Sequence, residues 1–137
     1  MSFETALSAR LLADADVLGA TGGRVDWMRR PGRALPAVTL QIVSDPRPQH
    51  MTGFERVRAT QVQIDVWAAR PGEAGVLRDR IIAVLAPGAV SEGVRFQRAM
   101  VPNVRPGFET DEAGSDAQPA GELYRESIDF IFTHNAT

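Results

Sequence analysis

Cysteine is absent from the 137 residues, and so is lysine. Without cysteine there is no disulfide, no thiolate nucleophile and no zinc–thiolate centre. Without lysine, all fifteen basic side chains are arginine. Arginine carries a planar fork of donors that suits carboxylate pairing between proteins. Histidine is scarce: His50 and His134 are the only two, and neither has a second histidine at ligand spacing. A histidine-based metal site is therefore not expected. Apolar runs are too short to span a bilayer. The start, Met1-Ser2-Phe3-Glu4, lacks the basic and apolar stretches of a secretion signal, so residence in a cytoplasm is the expectation. A large excess of charge of one sign is lacking too. The net value of −2 draws the whole molecule neither to DNA nor to an anionic membrane.

What remains is ordinary globular composition, 44% hydrophobic and 23% charged, enough to bury a core. One domain over residues 1–137 is expected, with no repeat and no dividing linker. Ser2 caps a helix over 3–16, with Phe3, Leu7 and Leu11 on one stripe. Gly19-Ala20-Thr21-Gly22-Gly23 is a helix stop. It follows a helix, whereas a phosphate cradle needs a strand before it. Residues 24–27 and 36–43 read as strands, and 44–55 as a long loop opened by Asp45-Pro46-Arg47-Pro48. The clearest strand is 56–69. Thr60, Val62, Ile64, Val66 and Ala68 alternate with Gln61, Gln63, Asp65 and Trp67. A helix fills 71–85, a strand 94–101, a second long loop 102–121 and a last strand 122–133. The fold class is α+β: a largely antiparallel or mixed sheet with two helices packed on one face, in the order α-β-β-β-α-β-β.

A search for catalytic chemistry finds little. Ser91 has Ala89 where a nucleophile elbow needs glycine. Asp111, Glu112 and Asp116 lack the spacing of a calcium loop and read as solvated charge. Arg29, Arg30 and Arg33 beside Trp27 suit either a nucleic-acid contact or a loop whose tryptophan packs under arginine stems. The second reading fits the absence of another basic cluster. Trp67 breaks the polar face of its strand. Either a helix or long side chains cover it, or it meets a partner.

Three blocks carry a resemblance. The first is Ala6-Leu7-Ser8-Ala9-Arg10-Leu11-Leu12-Ala13-Asp14, followed by Arg24-Val25 and Leu35-Pro36-Ala37-Val38. The second is Val62-Gln63-Ile64-Asp65-Val66-Trp67-Ala68, leading to Ile82-Ala83-Val84-Leu85. The third is Tyr124-Arg125-Glu126-Ser127-Ile128-Asp129-Phe130. Together they resemble the phage tail terminator, or tail completion, proteins, which also occur in gene transfer agents. The resemblance spans nearly the whole chain, and the middle block is its most specific part. It implies a virion protein assembled in the host cytoplasm. Such proteins form a ring, usually a hexamer, that caps the head-proximal end of the tail tube and ends its growth. Its partners would be its own copies, the tail tube protein and a head–tail connector or stopper. DNA would pass through the lumen without specific binding, past a surface of acidic or mixed charge. Catalytic residues, metal, cofactor and membrane have no place in such a role. Trp67 and Asp65 on the strand, with Arg47, His50, Phe54, Arg105 and Phe108 in the two long loops, are the candidate interface residues. Asp65 and Glu73 are candidates to pair with a neighbour's arginine. Another neck subunit and a small α+β enzyme are the competing readings.

Overall fold

The computed structural model describes residues 2–32, 34–54, 56–109 and 123–136. Three helices and nine strands are present among them: α1 (Phe3–Leu12), α2 (Ala15–Thr21), β1 (Val25–Trp27), β2 (Ala37–Ser44), β3 (Gln49–His50), β4 (Gly53–Phe54), β5 (Arg58–Ala68), α3 (Pro71–Leu85), β6 (Ala89–Ser91), β7 (Val94–Phe96), β8 (Met100–Glu109) and β9 (Leu123–Ala136). Seven strands form one mixed sheet in the order β1-β2-β5-β9-β7-β6, with β8 also paired to β9. Only β1–β2 is parallel; the other pairs are antiparallel. The α+β expectation holds, with one more helix and more strands than expected.

Each difference has a local cause. The expected first helix is two helices. The Asp14 carboxylate accepts from the Val17 N–H at 3.1 Å and so caps a second start, which a continuous helix would not allow. That second helix ends where Gly22 takes φ +62°, the left-handed conformation of a helix stop. Residues 44–55 are not all loop. Gln49 pairs with Phe54 and His50 with Gly53 in a small hairpin turning at Met51-Thr52. The expected strand 94–101 breaks after Phe96, and its second part continues as β8 through residues 102–109, expected to be loop. Pro102 and Pro106 hid that strand, because proline is excluded from strand interiors but tolerated at a sheet edge. β8 is such an edge: among the described residues it pairs with β9 alone. The acidic Asp111, Glu112 and Asp116 lie outside the described residues, as do Arg33 and the rest of the expected loop to 121.

The core follows from strand alternation. Val62, Ile64, Val66 and Ala68 of β5 and Ile128, Phe130 and Phe132 of β9 face the helices. There they meet Phe3, Leu7 and Leu11 of α1 and Leu77, Ile81 and Leu85 of α3. Burying each large aliphatic side chain contributes about 1.5–3 kcal/mol. Polar clamps hold α1 in the curled sheet. Trp27 of β1 donates its indole N–H to Ser8 at 2.8 Å, and Ser91 of β6 donates to the Ala6 carbonyl at 3.2 Å. Buried Arg10 reaches from α1 to the carbonyls of Val84 (3.0 Å) and Pro87 (2.9 Å) at the end of α3. A cation at a helix C-terminus is favoured by the unpaired carbonyls there.

Candidate interface surfaces

Among the described residues, the other face of the sheet carries no helix. Asp26, Thr39, Asp65, Ser127 and Arg105 form one row across five strands, fixed by the registers Asp26↔Thr39, Thr39↔Asp65, Asp65↔Ser127 and Arg105↔Ser127. Gln41, Gln63, Asp129 and Asn103 form the next row. Several of these groups bond to one another. Ser127 donates to Asp65 at 2.5 Å, and Gln63 donates to both Asp65 oxygens at 3.1 and 3.2 Å. Arg105 pairs with Asp129 at 2.5 Å, and that hydrogen bond raises the arginine pKa above its ordinary value.

Trp67 sits within this network, half-buried. Its indole N–H donates to Thr39 at 2.9 Å. The guanidinium carbons of Arg30 and Arg125 stand 5.1 and 5.6 Å from its ring centroid. Of the two readings open for Trp67, the long-side-chain cover is therefore present within the chain. The arginine-rich stretch beside Trp27 also behaves differently from expectation: Arg30 crosses to Trp67, while Trp27 faces α1. Arg125 also pairs with Glu109 and lies on the backbone of Gly107, where a Cβ would come to 3.0 Å from Nη2. Glycine at 107 is what leaves room for it.

Of the candidate residues, Trp67, Asp65 and Arg105 thus meet on the open face. Arg47, His50 and Phe54 stand apart on the small hairpin. Arg47 pairs at 2.8 Å with Asp45, and Asp45 also accepts from Thr60 at 3.0 Å. Phe54 is 63% exposed, and Met51 at the tip is fully exposed. Phe108 belongs to a third place. Its register partner is Tyr124, as Glu126 is that of Pro106 and Ile128 that of Val104. These side chains lie on the helix side of the sheet, past the flank of α3, where Arg78 meets Glu126 at 2.9 Å. Phe108 stays 58% exposed with its ring 5.3 Å from that of Tyr124, and Val104 is exposed beside it. Glu73 is exposed on α3 without an ion-pair partner among the described residues.

Sequence reasoning missed Met51, Val104, Tyr124 and Arg125. Of these, only Val104 and Met51 had a usable signal, as apolar residues inside polar, proline-flanked stretches. Among the described residues no group of three or more His, Asp or Glu is placed to hold a metal ion. None of the described helices is long and apolar enough to cross a membrane.

Comparison with known proteins adds two findings. A family model described as "Tail completion protein gp17" matches residues 5–134. A solved chain from the "Virion of native gene transfer agent (GTA) particle" superposes with a TM-score of 0.61, covering 98% of this chain and 94% of that one at 16% identity. At that identity the likeness speaks for the fold. No curated protein matches.

Proposed function

We propose, from the premise that this chain belongs to the Tail completion protein gp17 family, that it forms a closed ring on the head-proximal end of a tail tube. Membership makes it a structural component of a phage-type tail. The finer role is our reading: the ring, expected to be a hexamer, ends tube polymerisation and offers its far side to the head connector. The observation that carries this reading is that, among the exposed apolar side chains, Met51, Phe54 and Val57 gather on the hairpin and Val104 and Phe108 on β8, two separate surfaces. A ring of identical subunits needs two different complementary surfaces on each copy. Exposed apolar patches of this kind mark docking sites.

The open sheet face supports a second element of the reading, a lumen of mixed charge. Its acidic residues Asp65, Asp129 and Glu109 already engage Ser127, Arg105 and Arg125. Such a surface attracts phosphate weakly, and DNA that must slide needs weak attraction. A continuous arginine-lined pore in the assembled ring would contradict this element.

The test is co-assembly. Purified chain is added to polymerising tail tube protein of the same particle, and tubes are viewed by negative-stain microscopy. Rings seated on one tube end, with growth stopped there, are expected. Tubes that lengthen unchanged, with the chain bound to neither tube nor connector, would refute the role. Binding to the connector alone would make it a different neck subunit.

A further inference from the structure

The hairpin is a built element whose apolar side chains have no seat among the described residues. From Pro46 to Val57 each described residue is exposed, the paired strands included. A lone two-stranded hairpin is marginal in water. Its root, by contrast, is fixed, because Asp45 is bound to Thr60 of β5 and to Arg47. The arm is therefore aimed from a firm base while Met51 and Phe54 remain in solvent.

The second surface is the shelf formed by Val104, Pro106 and Phe108 of β8 beside Tyr124. Beside it, Glu126 keeps one carboxylate oxygen, Oε2, buried with no hydrogen-bond partner. A buried acceptor in that state calls for a donor. The outer edge of β8 has no N–H at Pro102 and Pro106, which opposes continuation of the sheet into another chain. A visitor must therefore lie on the shelf by its side chains.

The arm falls short of Phe108 on its own shelf. Its root lies at the level of Thr60, whereas Phe108 aligns through Tyr124 with Ala68. Eight residues of strand separate those levels, about 26 Å, with two strand spacings to cross besides. From Asp45 to the tip at Met51 the arm spans about 20 Å when fully extended. Root and shelf also lie on opposite flanks of the sheet, β2 and β5 against β8. A knob on one flank and a matching seat on the other is the arrangement that joins copies head to tail.

Resting on the ring reading above, we propose that the arm of one copy docks on the β8 shelf of the next, with Met51 and Phe54 against Val104, Pro106 and Phe108. The arm also carries Arg56, which brings a cation towards the side of the shelf where Glu126 lies. The native absence of cysteine makes the test clean. Single variants Met51→Cys and Phe108→Cys, and separately Phe54→Cys and Val104→Cys, are mixed in pairs, assembled and oxidised. Disulfide-linked dimers are expected in the mixtures and not in any single variant alone. A second measurement uses Phe54→Ser, which is expected to raise the concentration for half-assembly more than tenfold. Val90→Ser, at an exposed valine that belongs to neither surface, should leave it unchanged. Rings that form without either cross-link, or cross-link through Met51→Cys alone, or assemble normally with Phe54→Ser, overturn the docking and leave the ring reading standing. A chain that makes no ring under conditions where it folds overturns both.

Discussion

His134 provides a sharp test of the packing. It is buried between Phe3 and Phe96, with ring centroids 4.2 and 6.2 Å away, and its Nε2 lies 2.8 Å from the Thr60 hydroxyl. That hydroxyl donates to Asp45, a carboxylate that can only accept, so the imidazole must donate from Nε2 and its Nδ1 is bare. Burial lowers its pKa to about 4, and the nearby Arg58 cation adds to the effect against opposing pulls from Asp45 and Glu4. The unfolded chain binds this proton near pH 6.5, the folded chain only near 4. Stability is therefore complete above 6.5 and lost as the pH falls towards 4, because the unfolded state holds the extra proton. The loss from this one group is about 2 kcal/mol at pH 5 and about 3 kcal/mol at pH 4. The carboxylates held low do not obscure the range from pH 7 to 5. Asp14 is held below its ordinary value by the hydrogen bond from Arg80, and Asp79 by that from Arg78. Their contributions fade only below 3.8. Urea denaturation of the dilute subunit at pH 7 and pH 5 is the assay. With a slope near 2 kcal/mol per molar, the midpoint should fall by about 1 M. His134→Gln keeps a donor for Thr60 but cannot take the proton. It should be less stable at pH 7 and nearly flat between the two pH values. Equal losses in both proteins would refute the reasoning.

Other expectations follow from the same contacts. Arg10→Met leaves the Val84 and Pro87 carbonyls without their donor inside the protein, and thermal denaturation should report a loss of about 2–4 kcal/mol. Asp14→Ala removes the cap of α2 together with the partner of Arg80. A loss of about 1–2 kcal/mol is expected, with lower helix content by circular dichroism. Gly107→Ala pushes Arg125 off its seat. Stability should change by less than about 1 kcal/mol, since the guanidinium can swing away, while Trp67 fluorescence, read in a Trp27→Phe background, shifts to the red.

Much of the frame was legible because burial writes a period into a chain. The alternation of 60–68 and the stripe of Leu77, Ile81 and Leu85 each placed an element and its buried face. Where reading failed, one residue carried two opposed meanings. Asp14 is an unremarkable polar residue within a helix until its side chain caps a second one. Pro102 and Pro106 speak against a strand, and they are correct for any strand except an edge. The surfaces were less legible still. Phe54 and Phe108 could be chosen as apolar residues in expected loops, but their separation onto a hairpin tip and a sheet flank depends on pairing between distant segments. Arg125 could not be chosen at all, since its role over Trp67 exists only once β5 and β9 are in register.

The two faces of the sheet divide the work in a way that bears on assembly. Much of the open face bonds within the chain: Asp65 with Ser127, Asp129 with Arg105, Trp67 with Thr39, although Nε of Arg125 is buried there without a hydrogen-bond partner. A partner arriving there would have to break bonds already made and would gain little, since desolvating a satisfied polar group has a cost of its own. The hairpin and the β8 shelf are the reverse. Their apolar side chains stand in water. Association therefore yields more free energy at the flanks than on the face. A subunit that sticks at its flanks and stays inert on its open face favours lateral contacts around a circle and leaves that face to solvent.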